Sequence, residues 1–166
     1  MNKNLDDCKK EILNDISRTI SFRLCSIGVD LGLFEDLSIN GPSTSKEIAL
    51  RKKYNERYIR EWLYGISKTG YIYFDKETRK ASISKEYNEL FNSEGGKNSF
   101  KGFFKVINNM MLPYENLISS FKNGGGIKFE EYNSEFWKGL DLTGCSRYRS
   151  FPVSYTHLTL PTIAIV

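Results

Sequence analysis

Four groups of residues in this sequence have the types and spacing to do chemistry. Glu130 and Glu131 stand close to Glu135, and carboxylates grouped this way can work as a general acid and base. Acids at the start of a helix more commonly serve its positive end. Gly124, Gly125 and Gly126 would let a backbone approach a ligand, as phosphate-binding turns do. Without a strand before it and a helix start after it, such a run serves equally as a hinge. Arg57, Arg60 and Glu61 could grip a ligand, although Arg57 and Glu61 have the i, i+4 spacing of a surface ion pair. Finally, Phe103, Phe104, Ile107, Met110 and Met111 supply the malleable apolar side chains that suit a small-molecule pocket.

Other chemistries are disfavoured. Cys8, Cys25 and Cys145 are widely spaced with no CxxC, and His157 is the single histidine, so no metal site is expected. Three free thiols suit a reducing cytoplasm, which is the expected location. Met1–Lys10 is polar and charged, acids included, rather than leader-like, and no stretch approaches a membrane span. Hydrophobic residues at 40% and aromatics at 14% favour a packed core over disorder, and 166 residues suit one domain of ordinary size. The net charge of +4 is unevenly spread. Met1–Asn40 carries five basic and seven acidic side chains, whereas Lys46–Arg60 carries six basic and two acidic. That local basic patch reads as a solvated face or as a phosphate-binding one.

The elements that would position these groups follow from caps and periodicity. Gly41–Ser84 reads as a winged helix-turn-helix. Thr44 and Glu47 have capping-box spacing before a short helix over Ser45–Arg51. Asn55 caps a second helix from Glu56, in which Ile59, Trp62, Leu63 and Ile66 make one buried face. Trp62 is thus a core residue rather than a stacking platform. Gly70 supplies a positive φ, and Tyr71–Phe74 and Ala81–Ser84 form a hairpin around the polar wing Asp75–Lys80. Upstream, Leu5–Leu31 reads as one long helix, or two broken near Gly28, with an apolar stripe from Ile12 through Ile16 and Ile20 to Leu31. The stripe exceeds what a small domain can cover, so a second copy of the chain is the expected partner, the alternative being a fold back onto the winged helix. Leu33, Phe34 and Leu37 enter the core. Downstream, helices are expected over Lys85–Asn92, Phe100–Leu112, Tyr114–Lys122 and Glu135–Tyr148, with a polar linker at Ser93–Ser99. The fold class is therefore mainly α with a small β-wing, a long N-terminal helix and additional C-terminal helices.

Several of these stretches resemble one family. Leu31-Gly32-Leu33-Phe34, Gly41–Ala49, Gly70-Tyr71-Ile72 and Phe121–Ile127 carry the likeness, and Arg57-Tyr58-Ile59-Arg60-Glu61-Trp62-Leu63 is its most specific part. The match, over roughly residues 1–151, is to class I S-adenosylmethionine-dependent methyltransferases with an N-terminal winged-helix domain. The resemblance implies a winged helix that serves dimerisation and substrate covering rather than DNA reading. It also implies a small-molecule substrate lined by Phe104, Ile107, Met111 and Tyr132, with Gly124, Gly125 and Gly126 near the cofactor. The family's catalytic domain needs a strand, a glycine-rich turn and an acidic residue for the ribose hydroxyls, and no such βαβ unit occurs here. No catalytic residue and no cofactor binding are therefore expected of this chain alone. Val153–Thr162 is similar to the translation of a transposase-type sequencing adapter, with a genuine terminal strand as the alternative. The expected division is residues 1–92 as a winged-helix dimerisation domain, 93–152 as a helical linker or lid, and 153–166 as a non-native tail.

A different class of function is a winged-helix transcription regulator. Its helix Glu56–Thr69 would enter the major groove while Lys76, Arg79 or Lys80 touched phosphates. Glu56 and Glu61 weigh against it, because a DNA-reading helix seldom brings carboxylates near phosphates. A free-standing dimeric interaction module is the third possibility.

Overall fold

The computed structural model describes residues 3–92 and 98–150. The described residues fall into two compact units, one up to residue 92 and one from residue 98. The adapter-like ending at 153–166 and most of the linker at 93–99 lie outside the described residues.

In the first unit, α1 spans Leu5–Asp30, capped by the Asn4 side chain, which accepts the Asp7 amide at 2.9 Å. It is one helix, running unbroken through Gly28. A Cβ there would come within 2.5 Å of the Trp62 ring and 2.7 Å of Phe34, so glycine is what admits both aromatics. Gly32, at φ 63°, turns the chain into α2, Leu33–Asn40. Leu33, Phe34 and Leu37 fill the core as expected, each at most 2% exposed, but they do so from a helix of their own.

The helix-turn-helix consists of α3, Ser45–Lys52, and α4, Glu56–Ser67. The capping box forms as its spacing requires: the Glu47 amide donates to the Thr44 hydroxyl at 3.3 Å and the Thr44 amide donates to the Glu47 carboxylate at 2.7 Å. The Thr44 amide and hydroxyl, which both donate to this carboxylate, hold the Glu47 carboxyl below its usual range. Ile59, Trp62, Leu63 and Ile66 are the buried face of α4. The Trp62 indole N–H donates to the Leu24 carbonyl at 2.8 Å, fastening α4 to α1. Strands β1, Ile72–Phe74, and β2, Ala81–Ile83, pair antiparallel with Tyr73 opposite Ser82. Ser43 adds a bridge on the other side of β2, exchanging both backbone bonds with Ala81 at 2.9 and 2.8 Å. Helix α5, Lys85–Asn92, closes the unit by setting the Phe91 ring, tilted, against Phe34 with centroids 4.5 Å apart.

In the second unit, α6 is Lys101–Met110, α7 is Tyr114–Asn123 and α8 is Ser134–Ser150, with a 3₁₀ turn at Phe129–Glu131. Helices α6 and α8 cross at two glycines. A Cβ on Gly102 would meet Thr143 backbone nitrogen at 2.6 Å, and one on Gly139 would meet Val106 nitrogen at 2.7 Å. The backbones approach so closely that neither position has room for a side chain.

Candidate functional site

The residues expected to line a substrate site sit in the second unit. Phe104 and Ile107 are half-buried on α6, and Met111, just past its end, is exposed. At i, i+3 and i+7 they share one helix face. Tyr132 is half-buried and stacks on Phe136, ring centroids 4.4 Å apart, so it is held by α8. Gly124, Gly125 and Gly126 have φ values of 73°, 99° and 67° with open space around each. They follow a helix, not a strand; Gly124 closes α7 through its N–H to the Ser120 carbonyl at 2.9 Å. The Ser120 hydroxyl reaches across the loop to the Gly126 carbonyl at 3.0 Å.

The grouped carboxylates do not act together. Glu135 accepts from Lys105 at 2.7 Å and Lys138 at 2.6 Å, and these two cations draw its pKa from 4.5 down to about 2. Glu131 is engaged by Asn116, and Glu130 faces Lys128 at 3.9 Å. A carboxylate held this far down cannot serve as a general base near neutral pH. On α4 the ion pair is Glu56 with Arg60, at 3.2 Å, rather than Arg57 with Glu61. Among the described residues, no group of three or more His, Cys, Asp or Glu side chains could hold a metal ion. None of their helices is long and apolar enough to cross a membrane.

Two further features have the makings of an interface or a binding surface. Every residue of α1 from Lys9 to Ile20 is exposed, including Ile12 at 62% and Leu13 at 64%. Ile12, Ile16 and Ile20 line a shallow apolar groove along that stretch. A second groove lies between α3, α4 and the wing, walled by Tyr64 and Phe74 with their rings edge to face at 5.2 Å. The wing cations Lys76, Arg79 and Lys80 are legible in the sequence but this concavity is not, because Tyr64 and Phe74 come together only once the hairpin folds back on α4.

Comparison with known proteins fits this geometry. A family model described as the Rv2258c-like winged HTH domain matches residues 20–92. No curated protein matches the chain in sequence. Among solved structures, the mitomycin 7-O-methyltransferase MmcR is similar at 18% identity and a TM-score of 0.64, over 87% of this chain and 44% of its own. The N,N-8-amino-8-demethyl-D-riboflavin dimethyltransferase RosA from Streptomyces davawensis is similar at 13% identity and a TM-score of 0.66, over 89% of this chain and 45% of its own. At such identities the likeness is one of fold, and this chain spans less than half the length of either enzyme. The matched residues run from Ile20, within α1, through α5.

Proposed function

We propose that this chain is the dimerising and substrate-covering portion of an S-adenosylmethionine-dependent methyltransferase that acts on a small molecule. The observation that carries the reading is the fold match, in which 87% and 89% of this chain superpose on only 44% and 45% of two methyltransferases. Residues 1–92 are then the dimerisation domain with its helical arm, residues 93–152 the helical region leading to a catalytic domain, and 153–166 an adapter-derived ending. The exposed stripe on α1 supports a homodimer through the N-terminal helices. Phe104, Ile107, Met111 and Tyr132 would close over the substrate, excluding water from it. Gly124, Gly125 and Gly126 would pass near the cofactor without holding it.

The cofactor supplies an electrophilic methyl group on a sulfonium. The residues that cradle it, and the base for the acceptor, belong on this reading to sequence outside this chain, and the location is cytoplasmic. Glu56 and Glu61 on α4 disfavour the alternative of a DNA-reading regulator. Calorimetric titration of the 166-residue chain with S-adenosylmethionine is expected to give no binding heat; micromolar affinity would overturn the assignment of the cofactor site to other sequence. Genomic DNA continuing past Phe151 should encode a strand and a glycine-rich turn. Native DNA carrying the Tyr155–Thr159 ending in place, with a stop codon after Val166, would overturn the whole reading.

A further inference from the structure

The groove between α3, α4 and the wing has a composition that the role of a dimerisation domain does not call for. Its two connected recesses, of about 240 and 660 Å³, share Tyr64, Phe74 and Arg79. Five cations line them, Lys46, Arg60, Lys68, Lys76 and Arg79, against the single carboxylate of Glu56. That carboxylate is already satisfied, by the Ser45 hydroxyl at 2.7 Å and Arg60 at 3.2 Å. Among the described residues, none of Lys46, Lys68, Lys76 and Arg79 forms an ion pair. The nearby Asp75 is turned inward to the wing, its Oδ1 accepting from the Glu77 and Thr78 amides at 2.8 and 3.3 Å.

Arg79 itself sits at φ 55°, a left-handed conformation that glycine or asparagine takes far more readily. A long cation is thus held at a strained corner of the wing, beside two aromatic rings. Backbone strain retained at one position commonly marks a site where the side chain is used.

We propose that this groove binds a small aromatic anion, its ring against Tyr64 and Phe74 and its carboxylate or phosphate among Lys68, Lys76 and Arg79. The charge excess selects an anion and the aromatic walls select a ring, by stacking and by cation–π contact with the flanking arginine. Concavity argues for a small ligand over duplex nucleic acid, since pockets of a few hundred Å³ suit small molecules whereas a duplex is read by a protruding helix. The exposed face of α4 also carries Glu61, which would meet the phosphates of a duplex.

The test is calorimetric titration of the 166-residue chain with four probes: naphthoate, adenosine monophosphate, adenosine and inorganic phosphate. At least one ring-bearing anion should bind at submillimolar concentration, about tenfold or more tighter than adenosine and phosphate, and weaken as salt rises. Which of naphthoate and adenosine monophosphate binds better distinguishes a carboxylate from a phosphate ligand. Arg79→Gly removes the cation while suiting the backbone, so it should keep the melting temperature and lose about tenfold in affinity; Lys68→Glu with Lys76→Glu should do the same. Failure of both ring-bearing anions to bind, equal binding to inorganic phosphate, or affinity unchanged in both variants would overturn the proposal. So would tight binding of a labelled DNA duplex that the same substitutions abolish.

Discussion

Asp36 shows how a residue invisible to pattern reading can hold a fold together. It is 4% exposed at the middle of α2, and Arg51 at the end of α3 reaches it twice, Nε to Oδ1 at 3.0 Å and Nη2 to Oδ2 at 2.5 Å. The same guanidinium donates to the Ser43 hydroxyl at 2.9 Å, so one side chain joins α2, α3 and the strand-like segment that bridges β2. The hydrogen bonds from Arg51 to the carboxylate raise the arginine's own pKa further. Arg51 therefore leaves the basic patch that the sequence suggested, as does Arg60 through Glu56. Replacing Arg51 by methionine strands a buried carboxylate. The cost should fall near the low end of the range for broken buried pairs, about 3 kcal/mol, because Arg51 keeps a third of its side chain in water. For a unit of this size that is a drop of roughly 15 °C in the melting temperature. Adding Asp36→Leu should recover most of it, and a double variant no more stable than Arg51→Met alone would show that the pair is not what the arginine supports.

At the scale of elements, the helix-turn-helix and wing were legible because each boundary has a local chemical signal. Thr44 with Glu47, Asn55, Gly70 and the apolar face from Ile59 to Ile66 all act within a few residues of where they are read. Helix α2 was missed because its eight residues are too few to show a period, and because Gly32 and Gly41 at its ends read equally well as a loop. The candidate substrate residues on α6 could be set on one face from spacing alone, but Tyr132 depends on a ring stack with α8 that no local pattern encodes. The same limit hid the α6–α8 crossing, although two isolated glycines within helical stretches were a signal of close packing. Gly102→Ala and Gly139→Ala should each destabilise the second unit by about 1–3 kcal/mol through overpacking, against the small gain that alanine gives in an open helix. The Lys105–Glu135 pair beside this crossing adds a dependence on pH. The Glu135 carboxyl titrates lower in the folded state, about 2 against an ordinary 4.5, so its contribution is fully present above pH 4.5 and is lost as pH falls through about 2. Helical signal from the second unit should weaken over that window, and Glu135→Gln should flatten the response; an unchanged acid transition in the variant would assign it to other carboxylates.

For the molecule as a whole, the decisive surface is the first half of α1. A helix exposed at every residue from Lys9 to Ile20 has no buried packing to hold it, and isolated helices of that length are marginal in water. Its apolar members Ile12, Leu13, Ile16 and Ile20 are each more than half exposed, on a stretch whose remaining side chains are largely charged. Burial against the same stripe of a second copy would satisfy both deficits at once, and the self-complementary geometry of a two-fold axis needs no other partner. Burying one isoleucine is worth about 1.5–3 kcal/mol, so replacing Ile16 and Ile20 by glutamate should remove at least about 3 kcal/mol from association. That is roughly a hundredfold in the dimer dissociation constant, before repulsion between the new carboxylates is counted. Sedimentation equilibrium at micromolar concentration should give twice the 19.2 kDa chain mass for the native sequence and the single mass for the Ile16→Glu, Ile20→Glu variant. The variant should also lose helical circular dichroism, because an arm released from its partner frays from Asn4 toward the first buried residue, Cys25. A native chain that stays monomeric at every concentration, with its arm still helical, would mean that α1 is stabilised some other way and that the stripe is not a dimer contact.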